Sequence, residues 1–244
     1  MRRALVTGAA GGIGSAIADR LARDGYWLAL LDVEAPHLPP SATAGGISLI
    51  CDVSDPGQVE ATFSRIAEQT PQLDALVNVA GINHQSPVAE MVAEDWDRVF
   101  SINVGGMFLV VKHGLSLLPT DGTGAIVNMA SISGHVATPD YAAYVTSKAA
   151  VENFTYALAQ EVRGQGVRVN AVAPGWVRAG FTDQALATAE DPERINQAAQ
   201  AAHLLGRMAE PEEVAAAVAW LCAPRSRFIT GTTLFVDGGL MRVH

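Results

Sequence analysis

This sequence predicts an α/β fold, a doubly wound, seven-stranded parallel sheet with helices on both faces. Short apolar runs alternate along the chain with segments whose apolar residues recur at helical spacing. That alternation is typical of parallel strands joined by crossover helices. A glycine-rich turn directly follows the first apolar run. We find no internal repeat, low-complexity tract or domain boundary, so residues 1–244 are predicted to form one domain.

Seven apolar runs are the predicted strands, and two long helical patterns lie between them. The strands are predicted at residues 4–6, 27–31, 47–50, 75–78, 125–129, 168–172 and 233–236. Residues 94–118 predict a long helix, disturbed near residues 103–106, where an Asn and two Gly occur. Residues 144–163 predict a second long helix. Its buried stripe is formed by Val151, Phe154, Leu158 and Val162.

The glycine-rich turn reads Thr7-Gly8-Ala9-Ala10-Gly11-Gly12-Ile13-Gly14 and is followed by a helical pattern. Such glycines let the backbone approach a pyrophosphate, which then lies on the free N–H groups of the helix N-terminus. Asp32 ends the next apolar run, where a carboxylate can accept hydrogen bonds from adenosine ribose hydroxyls. Taken without Asp32, the glycines would also fit a turn that binds no ligand. Together with Asp32 they predict a Rossmann-like dinucleotide site.

Tyr144 and Lys148 are four residues apart, so on a helix they share one face. An ammonium close to a phenol stabilises the phenolate. The pair therefore predicts a lowered pKa for Tyr144 and an acid/base that works near neutral pH. A surface Tyr beside a solvated Lys is the alternative for this spacing taken alone.

Polar and glycine positions fall at or just past the ends of several predicted strands. They are Gly8, Asp32, Asp52, Asn78, Ser131 and Pro174. The carboxyl ends of parallel strands meet at one edge of a sheet, where ligands bind. We therefore expect one shared site at that edge.

With these features the chain resembles the short-chain dehydrogenase/reductase family over nearly its whole length, from residue 5 to residue 237. Asn78-Val79-Ala80-Gly81 is similar to the family's N-N-A-G, with Val79 replacing the second Asn. Ser131 precedes Tyr144 by the family's interval, and Pro174-Gly175 matches its P-G after the sixth strand. The resemblance implies hydride transfer between a secondary alcohol and a nicotinamide cofactor.

The resemblance also implies the site residues. Tyr144 would exchange the hydroxyl proton, Lys148 would lower the pKa of Tyr144 and hold the nicotinamide ribose, and Ser131 would bind the substrate oxygen. Asn103 would open its helix so that a carbonyl holds a water for proton relay. The expected cofactor contacts are Gly8, Gly11, Gly12, Ile13, Gly14, Asp32, Asp52, Val53, Asn78, Ala80, Gly81, Tyr144, Lys148, Pro174, Gly175 and Val177.

One position departs from the family pattern. Ala179 stands where a Thr usually contacts the nicotinamide carboxamide, and Thr182 or backbone groups would have to replace that contact. On the substrate side we expect Ser133, His135, Tyr141, Trp176 and His84, although each lone His also fits an ordinary surface position. Residues 176–203, which contain Gly180 and Pro192, predict a mobile lid.

Composition limits the partners and the setting. A net charge of −9 argues against nucleic acid as a partner. No apolar stretch approaches the length of a membrane span, which predicts no membrane association. The two cysteines lack metal-ligand spacing, so we expect no metal site and a cytoplasmic protein. The long helices carry much apolar surface, and with the resemblance this predicts a homotetramer.

The predicted activity is NAD-dependent interconversion of a small secondary alcohol or polyol and its ketone. NAD is favoured because Asp32, Val33 and Glu34 offer no base to a 2′-phosphate. A 3-oxoacyl-thioester reductase acting on acyl carrier protein is the first alternative. Against it, residues 118–124 contain an acid and no base where such relatives have basic residues. A catalytically silent dinucleotide-binding protein is the second alternative.

Overall fold

The computed structural model describes residues 1–189 and 191–242, and the sheet within them confirms the predicted fold class. Its seven parallel strands have the order β3-β2-β1-β4-β5-β6-β7. They are β1 (Arg2–Thr7), β2 (Tyr26–Asp32), β3 (Gly46–Ile50), β4 (Ala75–Asn78), β5 (Ala125–Met129), β6 (Arg168–Pro174) and β7 (Thr233–Val236). The strand order reverses between β1 and β4, which is where sheets of this kind bind ligands.

Helices cover both faces of the sheet, as predicted. They are α1 (Gly12–Arg23), α2 (Pro56–Gln69), α3 (Ala93–Phe100), α4 (Met107–Gly114), α5 (Ala142–Glu161), α6 (Phe181–Thr188), α7 (Pro192–Ala201) and α8 (Pro211–Cys222). Side chains of α1 and α8 pack with Ala4 and Val6 of β1 in one core cluster. Leu5, between them, packs in a second cluster with α2, α4 and α5. This alternation follows from the two-residue period of a strand.

The predicted long helix near residue 94 is one helical segment, Ala93–Leu117, interrupted by a π-helical turn at Ser101–Gly106. The predicted disturbance at residues 103–106 is therefore confirmed. We expected no apolar stretch close to the length of a membrane span. This segment differs from that expectation, because an 18-residue window in it reaches a mean hydropathy of 1.3. A core helix meets the same criterion, and Val110 and Val111 of this segment are buried against the sheet.

The helix α5 begins two residues before its predicted start and also ends two residues before its predicted end. Of its predicted stripe, Val151, Leu158 and Val162 are buried, and Phe154 is half-buried. The same helix also buries polar side chains, among them Lys148 and Glu152.

The predicted lid contains the two helices α6 and α7, whereas Glu190 between them lies outside the described residues. His203 follows α7 and is buried. Its Nε2 accepts a hydrogen bond from the main-chain N–H of Trp176 at 3.3 Å. The two ends of the segment are thus joined, and its mobility stays a prediction.

Candidate active site

A cavity of about 830 Å³ lies at the carboxyl edge of the sheet and brings most of the predicted site residues together. The predicted residues on its wall are Gly8, Gly11, Gly12, Ile13, Gly14, Asp32, Asp52, Val53, Ala80, Gly81, Ser131, Ser133, Tyr141, Tyr144, Lys148, Pro174, Gly175, Trp176 and Val177. Of the six strand-end residues expected to share one site, all but Asn78 line this cavity. Four predicted residues, Asn78, Asn103, His84 and His135, are not on the wall.

The glycine turn connects β1 to α1 in the tight conformation that the sequence predicted. Gly8 has φ of +66°, and a Cβ placed on it would lie 2.7 Å from the main-chain nitrogen of Ala80. A Cβ on Gly14 would lie 2.0 Å from the carbonyl oxygen of Gly8. A side chain at either position would therefore collide with backbone.

The N-terminus of α1 opens toward the cavity without a capping side chain. Gly11 is the N-cap residue and makes no side-chain hydrogen bond to the helix, and no acidic residue occupies the first turn. Free main-chain N–H groups at a helix start attract anions, and the helix dipole adds to this attraction. This cradle fits the pyrophosphate of a dinucleotide.

Acidic side chains line the cavity at the end of β2 and just past β3. Asp32 Oδ2 accepts a hydrogen bond from the N–H of Ala10 at 2.9 Å, which links β2 to the glycine turn. Asp52 Oδ1 accepts from the N–H and the hydroxyl of Ser54 at 2.9 and 2.7 Å. These are the bonds of a turn residue, but Asp52 also lines the cavity, and its contact with the cofactor stays a prediction.

Tyr144 and Lys148 share a face of α5, but their electrostatics differ from the prediction. Burial raises the pKa of Tyr144 to about 12, and a hydrogen bond with Ser131 lowers it only in part. Burial also lowers the pKa of Lys148 to about 8. Lys148 Nζ donates to the carbonyl oxygen of Met129 at 2.9 Å. In this geometry burial dominates the pKa of Tyr144, because both charged forms are desolvated and the amine is directed to the backbone. The help that Lys148 gives to Tyr144 stays a prediction.

Ser131 follows β5 in extended conformation and begins a short turn at Ile132–Gly134. Its Oγ accepts a hydrogen bond from the N–H of Ser133 at 3.1 Å. The turn thus orients the hydroxyl of Ser131 beside Tyr144, whose pKa responds to it. The ring of Phe181 on α6 packs edge-on with that of Tyr144, with ring centres 5.9 Å apart.

Asn103 lies behind the cavity wall and joins three segments. Its Oδ1 accepts from the N–H of Ile82 at 2.8 Å, and its Nδ2 donates to the carbonyl of Ile82 at 2.9 Å and to Ser147 Oγ at 3.0 Å. Ser147 in turn donates to the carbonyl of Tyr144 at 2.8 Å. The side chain of Asn103 therefore ties the π-helical turn to the helix that carries Tyr144. Its water-holding role stays a prediction.

Asn78 is buried beneath the wall instead of lining it. Its Nδ2 donates to Asn128 Oδ1 at 2.8 Å, and Asn128 Nδ2 donates to Thr155 Oγ1 at 2.9 Å. This chain of amides connects β4, β5 and α5. Asn78 thus supports the floor of the cavity from below, and its contact with the cofactor stays a prediction.

The two histidines predicted on the substrate side have other partners. His84 Nε2 lies 3.4 Å from a carboxylate oxygen of Asp95. His135 Nε2 lies 2.7 Å from Glu152 Oε2, with the ring edge-on to Phe235. Neither side chain is part of the cavity wall. Their contact with substrate stays a prediction.

Ala179, which stands where the family usually has a Thr, lines the cavity, and so does Thr182. A Cβ on Gly12 would lie 2.7 Å from the methyl carbon of Ala179, so this methyl packs directly on the glycine turn. Thr182 is buried on the same wall. Its replacement of the lost hydroxyl contact stays a prediction.

Several wall residues escaped the sequence analysis. They include Ile82, Asn83, Arg98, Ile132, Thr138 and Phe181. Asn83 could have been suspected from its place two residues after Gly81. No pattern marked Arg98, which is an ordinary polar residue of an amphipathic helix by its sequence. Within the described ranges, no group of three His, Cys, Asp or Glu side chains is placed to hold a metal ion.

Comparison with known proteins matches residues 8–241 to a family model described as enoyl-(acyl carrier protein) reductase. The chain is 38% identical to a short-chain dehydrogenase/reductase of Armillaria gallica, covering 98% of this chain and 96% of that protein. It is 36% identical to 2-(S)-hydroxypropyl-CoM dehydrogenase 3 of Xanthobacter autotrophicus, with coverage of 98% and 96%. It is 32% identical to 3-oxoacyl-[acyl-carrier-protein] reductase of Thermotoga maritima, with coverage of 97% and 96%.

Solved structures are similar over the full chain. The crystal structure of levodione reductase matches with a TM-score of 0.93 and 31% identity, covering 100% of this chain and 98% of that one. The relatives thus include proteins named for alcohol oxidation and proteins named for ketone reduction.

Proposed function

This chain belongs to the short-chain dehydrogenase/reductase family of oxidoreductases, and on that premise we propose that it oxidises a small secondary alcohol or polyol with NAD. The observation that carries the proposal is the placement of Ser131, Tyr144 and Lys148 on one wall of a cavity whose opposite end holds Asp32. One end suits proton transfer at a carbinol, and the other suits an adenosine ribose.

The proposed chemistry divides between the cofactor and the side chains. When bound, the nicotinamide ring supplies the hydride acceptor. Tyr144 accepts the proton of the substrate hydroxyl at its phenolic oxygen, and Ser131 donates a hydrogen bond to the same substrate oxygen. Because the pKa of Tyr144 is raised to about 12 in the protein alone, its use as a base requires added positive charge beside it. The ammonium of Lys148 supplies that charge once it turns from Met129 toward Tyr144.

The preference for NAD is supported by the acids after β2. Asp32 and Glu34 both line the cavity, and Val33 between them adds no charge. A 2′-phosphate there would meet like charge, which costs several kcal/mol. Among the described residues that line the cavity, Arg98 on α3 is the basic side chain besides Lys148, and it offers a competing contact for a phosphate.

Reduction of a 3-oxoacyl group on acyl carrier protein is the second candidate, favoured by the similarity to the Thermotoga reductase. The lack of a basic residue in residues 118–124 does not argue against a carrier substrate. This segment precedes the amino end of β5, at the edge of the sheet opposite the cavity. Arg168, the first residue of β6, is likewise buried there against Ser226. The net charge of −9 still disfavours an acidic carrier.

The proposal also covers the oligomeric state and the cellular location of the protein. Phe108 of α4 is 46% exposed and Tyr156 of α5 is 36% exposed, which leaves an apolar surface on the two long helices. Pairing of these helices between chains would cover it, and we propose a homotetramer. Cys51 and Cys222 are both free and buried, which suits a reducing cytoplasmic setting.

The deciding experiment compares kcat/KM for NAD-driven oxidation of small alcohols and polyols with NADPH- or NADH-driven reduction of an acetoacetyl-carrier substrate. We expect the alcohols to be turned over and the carrier substrate to be poor. Efficient carrier turnover that weakens steeply as salt rises would establish the second candidate. No turnover of either kind would leave the silent dinucleotide-binding protein.

A further inference from the structure

The acids of the cavity wall are concentrated toward one edge of the sheet. Among the described residues, the charged side chains on the wall are Asp32, Glu34, Asp52, Arg98 and Lys148. The three acids end β2 or follow β2 and β3, and these two strands lie at one edge of the sheet. The acidic part of the wall is therefore the adenosine part of the proposed site.

Arg98 belongs to the same part of the wall. It lies about one helical turn before Ile102, which packs on the core cluster that contains Cys51 and Val53, just past β3. A Cβ on Gly106, at the end of the π-helical turn, would lie 2.5 Å from Val53 Cγ2. The helical segment that carries Arg98 thus packs on the chain that follows β3, beside one of the acids.

The aromatic side chains of the wall come from the other side of the sheet. They are Tyr141, Tyr144, Trp176 and Phe181, located around the start of α5, after β6 and at the start of α6. Four strand spacings separate β2 from β6, which is about 19 Å. The wall therefore has an acidic part and an aromatic part, and Tyr144 belongs to the second.

Lys148 is the remaining charged side chain, and it already has partners in the protein. Its Nζ is buried and donates to the carbonyl oxygen of Met129 at 2.9 Å. The proposed function assigns its charge to Tyr144. It is therefore not free to pair with an anionic group elsewhere on a substrate.

Phe181 brings the aromatic part into contact with Tyr144, since the two rings pack edge-on with centres 5.9 Å apart. Gly180, with φ of +55°, turns the chain into α6 directly before it. Phe181 is 39% exposed, so the protein covers its ring only in part. An apolar group bound beside Tyr144 would cover more of this ring, which is favourable.

Trp176 and Tyr141 are held in place by polar contacts. The N–H of Trp176 donates to His203 Nε2 at 3.3 Å, and its carbonyl accepts from the N–H of Ala209 at 2.9 Å. The hydroxyl of Tyr141 donates to Gln85 Oε1 at 3.1 Å, so its polar end already has a partner. Both residues therefore line the cavity from fixed positions.

Apart from Lys148, the described wall residues that follow β5, β6 and β7 carry no charge. They include the apolar side chains of Val136, Ala185 and Leu240. A carboxylate, phosphate or ammonium group of a substrate would lose water there without gaining an opposite charge, which is costly. A hydrocarbon group gains free energy from the same transfer.

We propose that the aromatic part of the cavity binds an uncharged hydrocarbon ring attached to the carbinol on which Tyr144 acts. The substrate class is a secondary alcohol with an aryl or cycloalkyl group, instead of a polyol or a hydroxy acid. This inference rests on the proposed function, which it narrows.

Two matched substrate pairs test it: 1-phenylethanol against 4-(1-hydroxyethyl)benzoate, and cyclohexanol against myo-inositol. The members of each pair share the ring and the carbinol, and the second member adds a carboxylate or further hydroxyls. With NAD, we expect kcat/KM to be higher by about a hundredfold or more for 1-phenylethanol than for its carboxylate. We expect it to be higher by about tenfold or more for cyclohexanol than for myo-inositol.

Variants of Phe181 test which residue carries the preference. Phe181→Ala should lower the ratio of kcat/KM for 1-phenylethanol to that for 2-propanol by about tenfold, through a higher KM, because the larger alcohol loses a ring contact. Phe181→Lys should raise kcat/KM for the carboxylate relative to 1-phenylethanol by about tenfold or more, because it places an opposite charge beside the bound anion.

Phe228→Ala is the matched control. Phe228 is fully exposed and precedes the amino end of β7, at the edge of the sheet opposite the cavity. We expect this variant to keep every ratio of the unaltered protein. The melting temperature and the Kd for NAD of both Phe181 variants should stay close to their original values, because the position is exposed.

Other outcomes overturn the inference. A weakened Kd for NAD in Phe181→Ala would assign this ring to the cofactor, and an equal loss for 1-phenylethanol and 2-propanol would assign it to the structure of α6. A preference for the carboxylate that disappears in Arg98→Ala would assign the exposed base to the substrate. Oxidation of myo-inositol in preference to the hydrocarbon alcohols would refute the inference and leave the proposed function standing. Oxidation of none of these compounds would overturn both.

Discussion

Lys148 Nζ donates a hydrogen bond to the carbonyl oxygen of Met129 and lies 5.6 Å from the centre of the Tyr144 ring. Met129 ends β5, so the position of the amine is set by the sheet as well as by its own helix. The amine is buried with one backbone acceptor and no carboxylate in contact. Its charged form is therefore disfavoured, which has a measurable consequence for stability.

Stability should depend on pH through Lys148. The pKa in the folded protein is about 8, below the ordinary 10.5, so between these values the unfolded chain holds a proton that the folded one lacks. The contribution to stability is fully present above pH 10.5 and is lost as the pH falls through 8. From pH 7 to pH 10.5, the unfolding free energy should rise relative to that of Lys148→Met by up to the order of 3 kcal/mol. Urea unfolding of both proteins measures this, and parallel pH profiles would contradict it.

Tyr144→Phe should lower kcat by roughly a hundredfold to ten-thousandfold, the usual size of an acid/base contribution. The ring and its edge-on contact with Phe181 remain, so the melting temperature and the Kd for NAD should stay close to their original values. Steady-state kinetics with any accepted alcohol measures the loss. A variant that retains more than a few per cent of kcat would refute the role of Tyr144.

Cofactor choice should depend on Asp32. We expect kcat/KM to favour NAD over NADP by about a hundredfold or more, and Asp32→Ala to narrow this ratio at least tenfold by removing one like charge. The variant should also bind NAD more weakly, because Asp32 accepts a hydrogen bond from the N–H of Ala10 and so orders the glycine turn.

Arg98→Ala is the matched control, since it removes the competing base on the cavity wall. We expect it to leave the NAD to NADP ratio unchanged. Equal use of both cofactors by the unaltered protein, together with selective loss of NADP turnover in Arg98→Ala, would show that Arg98 holds a 2′-phosphate.

Oligomeric state should depend on Phe108. Light scattering at micromolar concentration is expected to give four times the chain mass, and Phe108→Glu is expected to give a smaller species because it places a charge in an apolar contact. Ile50→Glu changes a residue that is 65% exposed at the end of the edge strand β3, and it should leave the mass unchanged. A monomeric mass for the unaltered protein would refute the proposed tetramer.

The site was predictable where one backbone rule or one spacing sufficed. Gly8 and Gly14 could be recognised because a side chain there collides with backbone whatever the rest of the fold does. Tyr144 and Lys148 could be paired because four residues of helix bring two side chains to one face. His84 and His135 could not be assigned, because Asp95 and Glu152, which hold them, lie 11 and 17 residues away along the chain.

The sequence by itself determined the layered architecture, the glycine turn and the placement of Tyr144 and Lys148 on one helix face, because hydrophobic period, glycine and spacing are local properties of the chain. Only the tertiary structure decided the electrostatics. Burial raises the pKa of Tyr144 and lowers that of Lys148, whereas the spacing alone predicted the opposite for Tyr144. It also separated the acids of the cavity from its aromatic side chains. Desolvation and hydrogen-bond satisfaction depend on every segment that packs around a group, and those segments come from distant parts of the chain.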